Sequence, residues 1–235
     1  AKKISKSFDR PVLNQISFDI NKGEIFGVLG PNGCGKTTLF SCLLGIYELD
    51  GGDFYINGEN IKNLPIHTRT QRFRISFVPQ NSACFTGMSV SDNIESICEI
   101  KIKDKVKRKD ILQELLAKFS LESVKLTLAN RLSGGEKRRL SISMALVTKP
   151  NLLVLDEPFS ALDPLSVETI QKIISELQHS SISVVLSDHN ISSTLAACDR
   201  AILISNGLVL ASGSPREIVN NRMARKLYFG DSFKF

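Results

Sequence analysis

A glycine-rich octapeptide near the amino end of the chain reads Gly30-Pro31-Asn32-Gly33-Cys34-Gly35-Lys36-Thr37. It fits the pattern GxxxxGK[ST] and joins a short apolar run, residues 24–29, to a segment with helical periodicity that starts near Lys36. Glycines there let backbone N–H groups converge on an anion, and the helix start adds positive partial charge. We predict a nucleotide phosphate loop, in which Lys36 neutralises the β- and γ-phosphates, Thr37 ligates Mg²⁺ and Thr38 adds a further contact.

A second apolar run, residues 152–155, ends at two adjacent carboxylates, Asp156 and Glu157. Open α/β sheets bind their ligands at the carboxyl ends of the strands, so both groups should face the phosphate loop. We predict that Asp156 holds Mg²⁺, mostly through water. Glu157 would be the general base that orients the water attacking the γ-phosphate.

The order of apolar segments favours an α/β fold. Residues 12–20 alternate like a half-buried strand, whereas short runs typical of strands buried on both faces recur further on. These buried runs are residues 24–29, 75–78, 152–155, 182–186 and 201–204. Between residues 89 and 146 the segments are charged, have a helical period and include no such run, which predicts a helical insertion.

Composition excludes several classes of protein. The 235 residues, 42% of them hydrophobic, contain no 18-residue apolar run, so we predict no membrane span. Five scattered cysteines without a CxxC pair indicate neither a disulfide framework nor a zinc site, and they suit a reducing cytoplasm. The net charge of +6 is spread along the chain and by itself selects no partner.

Residues 131–139, with the sequence RLSGGEKRR, resemble the LSGGE signature of ATP-binding cassette (ABC) ATPases. Ser133 stands at the start of a helical pattern, so its hydroxyl and the N–H groups of Gly134 and Gly135 would form a second anion site. Glu136 completes the signature. A simple helix cap is the alternative for this segment taken alone.

Other elements of the same family follow in order. Gln80 resembles the glutamine that reaches the metal and the nucleophilic water, and Asp163 belongs to a segment, residues 160–163, that resembles the family's D-loop. His189 resembles the switch histidine that contacts the γ-phosphate. Phe8 stands where family members place an aromatic ring against adenine, with a core or edge-strand phenylalanine as the alternative.

The resemblance implies a P-loop NTPase of the ABC type, an α/β fold with a RecA-like core, an antiparallel β edge and an inserted helical subdomain. Residues 1–235 would form one ABC ATPase domain. Its predicted parts are a RecA-like core and β lobe (1–88 and 147–220), a helical signature subdomain (89–146) and a carboxyl-terminal tail (221–235). Because one ABC cassette's phosphate loop and another's LSGGE enclose the same ATP, a homodimer formed on ATP binding is implied.

Within the family, the chain resembles the ATPase subunits of bacterial transporters, and two groups among them fit best. Residues 64–69, 88–94 and 226–233 are similar to both the lipopolysaccharide-export ATPases and the branched-chain amino acid importer ATPases. An intact Asp163-Pro164 pair and a tail reaching Phe233 favour the exporter group. Thr86 and Gly87 depart from it, since exporters usually carry basic residues there, and residues 141–146 also differ from the common signature-helix ending.

Two further features concern partners. Phe85 and Met88 would form an exposed apolar patch beside Gln80 that receives a helix of an integral membrane permease, placing the chain on the cytoplasmic face of the inner membrane. Internal packing of both residues is the alternative. The basic run 101–109 would suit nucleic acid or anionic lipid, but such a run is typically a solvated helix face. We expect no nucleic-acid partner; a soluble ABC ATPase acting on nucleic acid is the second alternative.

Overall fold

The computed structural model describes residues 1–81, 83–230 and 233. The strands are β1 Lys2–Ser7, β2 Pro11–Ile16, β3 Ile25–Leu29, β4 Gly51–Asp53, β5 Tyr55–Ile56, β6 Glu59–Asn60, β7 Ile75–Val78, β8 Leu152–Asp156, β9 Ser183–Ser187, β10 Arg200–Ser205 and β11 Leu208–Gly213. The helices are α1 Lys36–Leu44, α2 Ile66–Arg72, α3 Val90–Lys101, α4 Lys105–Lys118, α5 Gly134–Leu146, α6 Pro164–His179, α7 Ile191–Ala197, α8 Pro215–Asn220 and α9 Arg222–Ala224.

A six-stranded sheet forms the centre, in the order β11-β10-β3-β9-β8-β7. Its strands run parallel except β11, which pairs antiparallel with β10. Every residue of β3 and of β9 is buried, as expected for strands covered on both faces. The five buried runs of the sequence supply β3, β7, β8, β9 and β10, and the predicted fold class is confirmed.

The antiparallel edge is a second sheet, in the order β2-β1-β4, with a separate β5-β6 hairpin. The strand predicted over residues 12–20 is too long, because β2 ends at Ile16. At Gln15 the backbone enters the left-handed region, with φ 53°, and the N–H of Lys3 then bonds the Ser17 hydroxyl instead of a backbone carbonyl. That side-chain bond interrupts the regular ladder, and although Phe18 and Ala1 still exchange backbone hydrogen bonds beyond it, residues 17–20 are not part of the strand.

Helices α3, α4 and α5 occupy residues 90 to 146, and the described residues of that range include no strand of the central sheet. Ser89 starts α3 and Ser133 starts α5, each through a reciprocal capping box that satisfies otherwise unpaired backbone N–H groups. Helix α5 also packs against β7. The signature segment is therefore attached to the central sheet, while the domain boundaries given above stay a prediction.

Apolar side chains form a core on each face of the central sheet. Phe119 and Phe159 belong to the core on the side of the α3–α6 helices, and Phe26 and Phe40 to the core on the side of α1 and the antiparallel sheet. Burial of each such ring stabilises the fold by roughly 1.5–3 kcal/mol. The loops at the carboxyl ends of the strands are thereby held on a scaffold packed from both faces.

The carboxyl-terminal segment folds back onto the first of these cores. After α9, a π-helical turn covers Arg225–Phe229, and the Phe229 ring stacks on Phe233 with centroids 4.9 Å apart. Residues 231, 232, 234 and 235 of the predicted tail lie outside the described residues. No helix in the described ranges has both the length and the apolar character needed to cross a bilayer.

Candidate active site

The loop of residues 30–35 joins β3 to α1, and its shape depends on glycine. Gly30 and Gly35 have φ values of 152° and 108°. A Cβ on Gly30 would lie 2.3 Å from the Ile204 carbonyl oxygen, and one on Gly35 2.8 Å from a Leu13 methyl carbon. The neighbouring backbone and side chains therefore leave no room for a larger residue at either position. Pro31, Asn32 and Gly33 are exposed at the rim, and Cys34 is buried below them, where burial raises the pKa of its thiol.

Lys36 is the first residue of α1 and is only 6% exposed. Its Nζ donates hydrogen bonds to the carbonyls of Gly30, at 2.8 Å, and Pro31, at 3.2 Å. No carboxylate of the described residues forms an ion pair with it. A buried cation whose partners are neutral is poorly compensated, so this loop suits an anionic ligand such as phosphate.

Asp156, at the end of β8, is buried and meets the phosphate loop. The Thr37 hydroxyl donates to one of its carboxylate oxygens at 2.9 Å, and the Ser187 hydroxyl donates to the other at 2.6 Å. Thr37 itself is exposed and Thr38 is partly buried. A carboxylate beside a hydroxyl offers the oxygen donors that Mg²⁺ prefers, so these residues fit that ion. Sequence reasoning missed Ser187; the signal is a polar residue ending an apolar strand.

The Glu157 carboxylate contacts two side chains from other segments of the chain, Gln80 and His189. Gln80 Nε2 donates to the Glu157 carboxylate at 2.7 Å, and His189 Nδ1 lies 3.3 Å from the same oxygen. The backbone of Glu157 is left-handed, with φ 50°, and its N–H donates to the Ser187 carbonyl at 2.7 Å. A carboxylate, an amide and an imidazole thus meet at the carboxyl end of β8, while their catalytic roles stay a prediction.

Asp188 holds in place the two loops that carry Glu157 and His189. It was not among the predicted site residues. Its side chain is fully buried, and its carboxylate accepts the N–H of Phe159 at 2.7 Å and that of Asn190 at 2.9 Å. Burial raises the pKa of Asp188, although the two N–H donors oppose the shift. The carboxylate therefore fixes the loop after β8 to the loop that carries His189.

Arg138 is the second residue that sequence reasoning missed. It is buried in α5, and its guanidinium donates to the carbonyls of Pro79 at 3.0 Å, Gln80 at 2.8 Å and Glu157 at 3.2 Å. Burial lowers the pKa of this guanidinium. The available signal is a basic residue four positions before Ile142, on the buried face of the helix. Arg138 links the signature helix to two of the predicted catalytic residues.

The signature segment lies apart from the phosphate loop. The Ser133 hydroxyl donates to the Glu136 carboxylate at 2.7 Å, and the Ser133 N–H donates to it at 2.8 Å; these two bonds lower the pKa of Glu136. Ser133 and Gly134 are exposed, and Gly135 packs so closely on α6 that a Cβ there would meet the Ser166 hydroxyl at 2.4 Å. Within the described residues, no hydrogen bond joins residues 133–136 to residues 30–38.

Asp163 also acts as a helix cap. It starts α6, where its carboxylate accepts the backbone N–H of Ser166 at 3.0 Å and the Ser166 hydroxyl at 2.5 Å. These two bonds lower the pKa of Asp163. Because Gly135 rests on the same serine, the segment containing Asp163 is coupled to the signature segment through Ser166.

Two aromatic positions complete the predicted set. Phe8 lies in the β1–β2 turn and is exposed, which excludes a core role; it meets Tyr47 edge-to-face at 5.3 Å, and Lys6 Nζ lies 5.4 Å from its ring centroid. Phe85 is 49% exposed, and Met88 is partly buried. Both Phe8 and Phe85 are therefore accessible to ligands or partners, and Tyr47 is an additional exposed ring that sequence reasoning missed.

Comparison with known proteins gives a consistent result. Residues 13–160 match the family model described as ABC transporter. The lipopolysaccharide export system ATP-binding protein LptB of Haemophilus influenzae is 38% identical over 237 residues, which span 100% of this chain and 98% of that protein.

Solved cassette structures share the fold over nearly the whole chain. A nucleotide-free ATP-binding cassette from an ABC transporter superposes with a TM-score of 0.86 at 25% identity, covering 98% of each chain. The dimeric structure of MJ0796, a bacterial ABC transporter cassette, superposes with a TM-score of 0.81 at 25% identity, covering 92% of this chain and 97% of that one. The chain belongs to the ABC transporter family and is one of its ATP-hydrolysing cassettes.

Proposed function

We propose that the chain is the nucleotide-binding subunit of a bacterial ABC transporter that exports lipopolysaccharide from the inner membrane. The observation that carries the proposal is similarity over the full length to the LptB protein, at 38% identity. The meeting of Gln80, Glu157 and His189 beside the phosphate loop supports the ATPase part. Residues that differ from the exporter pattern, Thr86 and Gly87, lie beside Phe85 and affect docking rather than the chemistry.

In this proposal, Glu157 accepts the proton of the water that attacks the γ-phosphate. Gln80 donates a hydrogen bond to one carboxylate oxygen of Glu157 and so fixes the orientation of that group. The other carboxylate oxygen is then available to the water. His189 approaches the same group from β9 and, being half exposed, can turn toward the γ-phosphate. Holding the base and the water in one geometry is the main contribution that side chains make to phosphoryl transfer.

Lys36, Thr37 and Asp156 bind the charged end of the nucleotide. Lys36 exchanges two carbonyl partners for phosphate oxygens, which compensates its buried charge. Thr37 and Asp156, with Gln80 nearby, would hold Mg²⁺, which when bound neutralises charge on the β- and γ-phosphates. Phe8 would stack on the adenine from the β1–β2 turn.

The signature segment would complete the site of a second copy of the chain. Ser133 and Gly134 are exposed and, across the described ranges, form no hydrogen bond to the phosphate loop of their own chain, so they are accessible to another cassette. The related cassette MJ0796 has been solved as a dimer. A two-fold homodimer with two equivalent ATP sites, formed on ATP binding and lined also by Asp163, is the simplest closed arrangement.

The permease would dock at Phe85 and Met88 and hold the cassette on the cytoplasmic face of the inner membrane. The Phe85 backbone is fixed by Asn93, which accepts its N–H at 2.7 Å and donates to its carbonyl at 3.1 Å. The exposed ring is therefore presented by an ordered turn five residues after Gln80. In this proposal, movement of a bound permease helix would act on the segment that follows Gln80.

Phe85→Arg tests the docking part of the proposal. We expect the isolated variant to fold, dimerise with ATP and hydrolyse it like wild type, because the side chain is solvent-exposed. We also expect it to lose co-purification with the membrane subunits, since a charge buried against an apolar helix costs several kcal/mol. Leu208→Arg is the matched control, because Leu208 is 48% exposed and lies on β11.

Two results would contradict the proposal. A melting temperature several degrees lower for isolated Phe85→Arg would show that Phe85 belongs to the internal packing. Co-purification of wild type with a branched-chain amino acid permease would assign the chain to an importer.

A further inference from the structure

The corner between α3 and α4 carries a surface that the proposed function does not use. We define the lysine corner as Ile100, Lys101, Lys103, Lys105, Val106, Lys107 and Lys109. All five lysines are exposed, and in the described part of the chain no ion pair or hydrogen bond involves their side chains. Residues 99–110 hold six cations and three carboxylates, a net charge of +3, which is half that of the whole chain.

Among the described residues, none of the three carboxylates of this segment, Asp110 included, forms an ion pair with one of these lysines. Glu99 pairs with Arg108 at 3.5 Å, and Asp104 caps α4 by accepting the N–H groups of Val106 and Lys107. Helix α4 then places Lys105, Lys107 and Lys109 near its amino end with no acidic residue in its first turn. The amino end of a helix has positive partial charge, so lysines at this position destabilise the helix. Such a local conflict is common where a surface serves binding.

Two apolar side chains project from the same corner. Ile100 is 73% exposed and Val106 is 68% exposed, although both are β-branched and neither contributes to the buried core. Exposed aliphatic residues between lysines are the composition of surfaces that enter the headgroup region of a membrane, where the charges meet anionic lipids. No aromatic residue and only one arginine lie in residues 99–110, so base stacking and forked phosphate contacts are poorly supported there.

We propose that the lysine corner binds the surface of a bilayer containing anionic phospholipids. The corner lies at the far end of α3 from Met88, about 18 Å along the helix axis, so a permease helix at Phe85 and Met88 would leave it uncovered. The inference goes beyond the proposed function and does not depend on the permease, because the isolated chain carries the whole surface.

Vesicle co-sedimentation tests the proposal with the purified full chain. We expect binding to phosphatidylcholine vesicles that contain phosphatidylglycerol, weaker binding at higher salt, and none to phosphatidylcholine alone. Replacing Lys105, Lys107 and Lys109 by Gln should lower the partition constant by roughly a hundredfold, since each lysine near an anionic surface contributes about fivefold. Ile100→Ser with Val106→Ser should lower it while leaving its salt dependence unchanged.

The matched control replaces Lys22, Lys125 and Lys172 by Gln, which removes the same charge from exposed lysines elsewhere. All variants should keep the wild-type ATPase rate and a melting temperature no lower than that of wild type. Equal loss of vesicle binding in the control would show that net charge alone is responsible and overturn the proposal. It would also be overturned by wild type that does not bind anionic vesicles, by serine variants that bind like wild type, or by double-stranded DNA that displaces the vesicles through the same lysines.

Discussion

The two glycine-containing helix starts of the chain are built in opposite ways. At α1 the cap residue is Gly35, without a side-chain hydrogen bond or an acidic residue in the first turn, and the buried Lys36 adds a positive charge. At α5 the cap is Ser133, whose hydroxyl and N–H are both engaged by Glu136 of the same turn. The first turn leaves its donors for an external anion, whereas the second satisfies part of its own. A phosphate reaching the second must therefore compete with Glu136.

Lys36→Met provides the largest test of this difference. We expect the variant to lose ATP binding, while the free protein keeps its stability because a poorly compensated buried charge is replaced by an apolar chain of similar length. In a thermal unfolding titration, ATP at a hundredfold excess over the wild-type Kd should stabilise wild type by about 2.7 kcal/mol and the variant not at all. Lys172→Met is the control. Tight ATP binding by the Lys36 variant would contradict the phosphate-loop assignment.

Glu157→Gln separates binding at α1 from chemistry. The variant keeps an oxygen that can accept the Gln80 amide, so ATP binding should be unchanged, but it lacks the general base. We expect hydrolysis to fall by on the order of 10² or more. ATP should then trap a dimer, in which the first turn of α5 in each copy contacts the ATP bound to the other copy. Light scattering detects this dimer. Hydrolysis at a near wild-type rate would exclude Glu157 as the base.

Arg138→Lys tests whether α5 supports Glu157, the proposed general base. Lysine keeps the charge but cannot reach the three carbonyls that the guanidinium bonds. We expect kcat to fall on the order of tenfold with little change in KM for ATP, because Gln80 and Glu157 lose their common support. Unfolding should cost about 1–3 kcal/mol less. Arg131→Lys, at an exposed position, should change neither quantity; a normal kcat for Arg138→Lys would remove it from the catalytic arrangement.

Ser133→Ala should give the smallest effect. Loss of the cap lowers the free energy of unfolding by about 1 kcal/mol, which urea titration measures. Ser214→Ala is the matched control, because Ser214 forms the same capping box with Glu217 at α8. We expect equal destabilisation of both variants but weaker ATP-driven dimerisation only for Ser133→Ala. Equal dimerisation of the two variants would mean that the Ser133 hydroxyl serves only its helix.

Local patterns predicted most of the fold and the positions of the candidate site residues at one edge of the sheet. The β3 and β9 strands are continuous apolar runs, and Gln80, Glu157 and His189 each follow such a run, so parallel-sheet geometry brings them to one edge. The pattern failed where a distant residue decides the outcome. The regular ladder of β2 is interrupted where the Lys3 N–H donates to the Ser17 hydroxyl, which no periodicity shows.

Arg138 and Ser187 escaped prediction for a related reason. Their partners are backbone carbonyls and a carboxylate 19 to 59 residues away, so the sequence signals at the two positions do not show what either side chain bonds. Burial of a guanidinium is detectable only once the helix is seen to pack on β7. A motif search finds the groups that touch a ligand more readily than those that hold these groups in place.

The order of the central sheet also fixes a length. Strand β9 lies between β3, which leads into the phosphate loop, and β8, which ends at Asp156. Two successive strand spacings place the backbones of β3 and β8 about 9.5 Å apart. Backbone hydrogen bonds set this distance, so it does not depend on the identity of the side chains. Point substitutions can change which side chains stand at the carboxyl ends of β3 and β8, but only a rearrangement of strand order would change the distance between these ends.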